Sequence, residues 1–143
     1  AQGHNTMAIF SCVNSSGHSI FTYDGITSEW VTMKAEDPFS PLHGFWIYSV
    51  SPMTIPLISE NTTITPVNLV RGWNSIGITV PDRPASTVLG PLGDTWSYLV
   101  GYNGSVQQYT TPLVYGDPAV NTTMLHTKEG FWLYLKENQT FSG

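Results

Sequence analysis

The stretch GFWIY, Gly44 to Tyr48, returns near the other end of the chain as GFWLY, Gly130 to Tyr134. Five residues so rich in aromatics seldom recur by chance, and the match continues outward. SIFTYDG, Ser19 to Gly25, corresponds to SYLVGYNG, Ser97 to Gly104, with Tyr23 on Tyr102 and Gly25 on Gly104. The offset is 79 between Tyr23 and Tyr102 but 86 between Gly44 and Gly130, so the second copy holds a longer loop before its Trp strand. The chain therefore reads as two related units in tandem, placed at residues 1–60 and 61–143.

Each unit reads as strands. TMAIFSCV and WNSIGITV hold near-continuous apolar or β-branched runs of strand length and end in the turn formers NSSG and PDRP, and they take the same place in the two copies. Asp24-Gly25 and Asn103-Gly104 sit between runs of β-branched and aromatic residues, the pattern of a two-residue hairpin whose central residues take positive φ. RPASTVLGPLG, Arg83 to Gly93, is the one helical candidate, with Pro84 opening a short turn and Gly90 and Pro91 ending it. PLISENTTITPVN joins the units and, with Leu57, Ile58 and Ile64, is expected to be strand-like and packed. The fold class is all-β: two antiparallel units with sandwich-like stacked sheets, open edges able to pair between subunits, and at most one helical turn near 83–93.

Composition narrows the function. Charged residues are only 10% of the chain, against roughly 25% in an ordinary soluble domain, while aromatics reach 13%. A net charge of −5 with five Lys and Arg leaves no basic stripe for a row of phosphates, which argues against nucleic acid. No apolar run approaches the ~20 residues that span a bilayer, so membrane insertion is not expected. The N-terminus AQGHNTMAIF lacks the pattern of a signal peptide and reads as the end left after cleavage, and an extracellular location follows. Five Asn-x-Ser/Thr sequons, at Asn14, Asn61, Asn103, Asn121 and Asn138, point the same way and make glycans possible partners.

Chemistry has little to work with. No G-x-S-x-G or Cys/His signature supplies a nucleophile beside a base, and the acidic residues form no pair recurring in both units, as a glycosidase cleft would need. His4, His18, His43 and His126 show no zinc-ligand spacing, and DPFS and GDPAV offer single carboxylates rather than a calcium loop. No enzyme, metal or cofactor is expected. Cys12, the only cysteine, has two readings: a small buried hydrophobe inside the strand MAIFSCV, or an intermolecular disulfide. In GFWIY the strand period puts Phe45 and Ile47 on one face and Trp46 and Tyr48 on the other, so both faces need a cover. The same holds for Phe131, Trp132 and Tyr134. That cover is the unit's own core together with the other unit, another subunit or a glycan, while Trp73 in GWN reads as a core anchor. Exposed aromatics would also suit a carbohydrate-binding or adhesive surface.

GWNSIGI, YLVGYNG and KEGFWLYL, in that order over Gly72 to Leu135, resemble a β-rich module of archaeal cell-surface proteins, above all the sheath and surface-layer proteins of methanogens. The first unit shares YDG and GFWIY but has no GWN. The resemblance implies a non-enzymatic extracellular protein whose subunits join edge to edge into amyloid-like sheets forming hoops or tubes. The partner is then the chain itself. The neutral runs TMAIFSCV, WNSIGITV and FWIYSV fit that reading, because monomeric proteins protect sheet edges with charge, Pro or bulges.

Overall fold

A computed structural model describes residues 5–56 and 64–143; Leu57, Ile58 and Asn61 fall outside them. The fold is all-β and antiparallel. After a short helix, α1 (Thr6–Phe10), the first unit forms a sheet from β1 (Phe21–Asp24), β2 (Glu29–Thr32) and β3 (Phe45–Trp46), in the order β2-β1-β3. The second contains β4 (Val67–Leu69), β5 (Gly72–Gly77), β6 (Arg83–Pro84), α2 (Ala85–Leu89), β7 (Trp96–Asn103), β8 (Gln108–Tyr109), β9 (Leu113–Val114), β10 (Met124–Leu125), β11 (Gly130–Leu135) and β12 (Gln139–Phe141). Its main sheet runs β5-β11-β7-β8, with β9 also on β7, while β10 pairs with β6 and β12 with β4.

The sequence repeat is a repeat of register. In the first hairpin Tyr23 pairs with Trp30 and Asp24 with Glu29; in the second, Tyr102 pairs with Tyr109 and Asn103 with Gln108. On the other side, Phe21 and Thr22 face Trp46 and Phe45, just as Val100 and Gly101 face Trp132 and Phe131. Each of these aligned residues has an aligned partner. The turns match too, though they are not two-residue turns. Each spans four residues, with positive φ at Ser28 (58°) and Gln107 (52°) rather than at the glycines. Asp24 and Asn103 use their Oδ1 atoms instead, accepting the N–H of Ile26 (2.8 Å) and of Ser105 (3.0 Å), which starts the loop as an Asx turn and lengthens it.

Thr6–Phe10, read as part of a strand, is a helix, and the first unit therefore has no counterpart of β5. Short apolar runs suit either structure, and the partners found by the first-turn N–H groups decide. The Asn5 Oδ1 accepts the Ala8 N–H at 2.8 Å, and the N–H groups of Thr6 and Met7 donate to the carbonyls of Asp37 and Ala35. The helix foreseen after Pro84 is present as α2, which ends as an α-helix at Leu89 with Gly90 as its C-cap. It tightens into a 3-10 turn over Gly90–Leu92, where Pro91 lacks only an N–H that the first turn leaves unused, and ends at Gly93 with φ 57°. A second 3-10 turn covers Pro118–Asn121.

The core belongs to the second unit. One face of its main sheet, through Ile76, Leu99, Leu133 and Leu135, packs with Ala85, Val88, Leu89, Leu92 and Phe141. Among the described residues of the first unit, only Leu42 joins them. It does so at φ 64°, a conformation costing about 1–2 kcal/mol for a side-chain residue. Its carbonyl accepts the Gly77 N–H at 3.0 Å, and the Gly44 N–H donates to the Ser75 carbonyl at 3.1 Å. Residues 42–44 thereby pair with the outer edge of β5. Gly44 has no room for a side chain there, since a Cβ would meet the Ser75 Oγ and the Ile76 backbone. The first glycine of GFW thus ties unit to unit, whereas the nearest atom to a Cβ on Gly130 would be 3.9 Å away.

Candidate assembly surface

Two aromatic groups and one strand edge stand out. The first group lies between the units. Trp46 packs on Tyr102 (ring centroids 4.7 Å) and Tyr109 (6.2 Å), and Trp132 packs on Tyr23 (4.9 Å) and Trp30 (5.4 Å). Because Trp46 matches Trp132, Tyr23 matches Tyr102 and Trp30 matches Tyr109 in the repeat, the contact is reciprocal, as in a two-fold dimer. Within one chain the two units meet as two subunits would. Mostly edge-to-face geometry suits rings with negative faces and positive rims. The outer cover expected for Trp46 and Trp132 is the other unit.

The second group is a rung across the same face of the main sheet. Tyr134 on β11 is the register partner of Trp73 on β5 and of Tyr98 on β7, and Tyr98 is in turn the partner of Val114 on β9. Trp73 stands 5.1 Å from Tyr134, and Tyr98 6.1 Å. Trp73 is 39% exposed and Tyr98 43%, so Trp73 is no core anchor. The buried residue of GWN is Asn74. Its side chain accepts the Val70 N–H (3.1 Å) and donates to the carbonyls of Val70 (2.8 Å) and Gly72 (3.1 Å), clamping the turn into β5 where Gly72 takes φ 104°. Strand alternation then turns Trp73 outward.

The edge is β2. It ends its sheet, and all four of its residues, Glu29, Trp30, Val31 and Thr32, are exposed. Met33 donates to Ile20 at 2.8 Å. By the alternation of an antiparallel ladder, Val31 and Glu29 then bond towards β1, while Trp30 and Thr32 turn their N–H and C=O outward. Among the described residues nothing pairs with them. Only Glu29 carries charge.

The remaining candidates are dispersed. Phe45 stacks on Phe39 at 4.2 Å, which packs on Phe10 of α1. Phe131 packs against the core. Tyr48 is 44% exposed beside His18. Cys12 lies in the turn after α1, exposed, and not inside a strand. Asn14, Asn103, Asn121 and Asn138 are all exposed. Among the described residues, no group of three or more His, Cys, Asp and Glu comes together. One carboxylate does act on a histidine: Asp82 lies 3.0 Å from the His126 Nδ1 and, by hydrogen bond and charge, raises the histidine above its usual pKa. Among the described residues, no helix is long and apolar enough to cross a membrane.

The sequence could have pointed to Tyr23, Trp30, Tyr102 and Tyr109, since the repeat aligns each with an aromatic. Tyr98 could not be found that way, because its aligned position in the first unit holds Ser19. Comparison of the chain with protein-family models, curated proteins and solved structures returns no match.

Proposed function

We propose that this protein is a structural subunit of an extracellular sheath or surface layer that grows by intermolecular β-sheet pairing. The observation that carries the reading is the open edge of β2: exposed throughout, β-branched or aromatic at three of four positions, and with outward N–H and C=O groups at Trp30 and Thr32. An edge of this kind is a template for another strand, and most monomers block it with Lys, Pro or a bulge. Pairing there makes the partner a second copy of the chain, and repetition makes hoops, tubes or sheets. Exposed Asn14, Asn103, Asn121 and Asn138 would carry glycans on the watered side, and exposed Cys12 would cross-link neighbours under oxidising conditions.

Negative-stain electron microscopy of the concentrated protein tests this. Ordered sheets, tubes or hoops are expected from the wild type and none from Thr32→Pro, which removes one outward N–H and leaves the bonds to β1 in place. A wild type that stays dispersed, or a Thr32→Pro variant that assembles equally well, overturns the reading.

A further inference from the structure

We propose that the rung Trp73–Tyr134–Tyr98 docks a second copy of this chain face to face, as an interface separate from the β2 edge. It rests on the self-association reading for its partner, but not on that edge. The face carrying the rung is already half used. Trp132, two residues before Tyr134 on the same side of β11, is capped edge-on by Tyr23 and Trp30 of the first unit. The rung continues that covered surface along the strand with the same chemistry, and among the described residues no ring of the first unit reaches it.

Trp73, Tyr98 and Val114 are each about two-fifths exposed on three separate strands, held by the ladder in one plane. Rigid aromatic side chains on strands lose little entropy on docking, and Trp and Tyr dominate the energetics of protein interfaces. The reciprocal packing of the two units shows what covers this kind of face in this protein: the rings of a related β unit. A second copy supplies such rings in a symmetric arrangement, Trp73, Tyr98 and Tyr134 meeting their own equivalents across a two-fold axis.

The test is sedimentation velocity on the full chain with the edge blocked by Thr32→Pro. A dimer is expected at about 100 μM, within the range of modest interfaces, and Tyr98→Glu in the same background should weaken it at least ~10-fold. Near-UV circular dichroism checks the fold of each variant, and Val114→Glu, on the same rung, replaces Tyr98→Glu if that variant unfolds. A Thr32→Pro protein that is monomeric throughout overturns the proposal, as does a dimer indifferent to both substitutions. So does an edge-blocked monomer whose tryptophan fluorescence shifts with cello- or chito-oligosaccharides, which would assign the rung to sugars. If the wild type never grows beyond a dimer that Tyr98→Glu dissolves, the edge reading fails and this one stands.

Discussion

Trp30 of the first unit stands edge-on to Trp132 of the second, ring centroids 5.4 Å apart and planes at 87°. Its repeat-mate contact, Trp46 with Tyr109, spans 6.2 Å. Because the pair joins units that share, among the described residues, only Leu42 in the core, it should matter to their docking. Trp132→Ala is expected to cost about 2–3 kcal/mol, below the 3–5 of a fully buried aromatic because the ring is only partly covered. Urea denaturation of the single and double Trp30 and Trp132 variants should show coupling of roughly 0.5–1.5 kcal/mol. Additive losses would mean that the rings are neighbours without being partners.

The two halves of GWN should respond oppositely. Asn74→Ala leaves the Val70 N–H and carbonyl without their partner in a half-buried turn and is expected to destabilise by about 1–3 kcal/mol. Trp73→Ala, on the open face, should cost less than Asn74→Ala and lower self-association instead. Thermal melts and sedimentation of both variants separate these effects; a larger stability loss at Trp73 would contradict the placement of its side chain.

His126 sets a pH dependence of known sign. Asp82 raises its folded pKa above the ordinary histidine value of 6.5, so the stabilisation is fully present below about pH 6.5 and fades as pH rises through the folded value. An NMR titration should find the His126 midpoint above that of an unfolded peptide, and Asp82→Asn should bring it down. His43 shifts the other way, lowered by burial, and its contribution holds above about pH 6.5 and is lost on acidification. A His126 midpoint unmoved by Asp82→Asn would show that the ion pair is not formed in solution.

Cys12 is exposed after α1. On non-reducing gels of air-oxidised protein, a dimer band is expected that dithiothreitol removes and Cys12→Ser never forms. Only monomer in the oxidised wild type would rule out the cross-link.

Since, among the described residues, the buried core lies in the second unit apart from Leu42, a fragment of residues 64–143 should unfold cooperatively, whereas residues 5–56 should show no cooperative transition in circular dichroism. Cooperative folding of the shorter piece would show that the first unit's aromatic packing suffices by itself.

The duplication was legible from Gly44–Tyr48 and Gly130–Tyr134 because a repeated strand keeps its pairing register, which its apolar pattern and the length of its turn set locally. The sequence by itself also determined the all-β class, the hairpins at Asp24 and Asn103, and the helix after Pro84, each through local backbone preference. It could not determine that Thr6–Phe10 is helical, since a neutral five-residue run suits both structures until the carbonyls of Ala35 and Asp37 arrive to hold it. Nor could it say that Asn74 is buried and Trp73 is not, or that Trp46 and Trp132 each rest on the other unit's hairpin. Those depend on which face of a strand meets which neighbour, a matter of contacts between residues far apart in the chain. Both faces of the strand carrying Trp132 are apolar, so its pattern alone could not choose between them; only the tertiary structure decided which face is core, which meets the first unit, and that Trp73 and Tyr98 beside Tyr134 are left open.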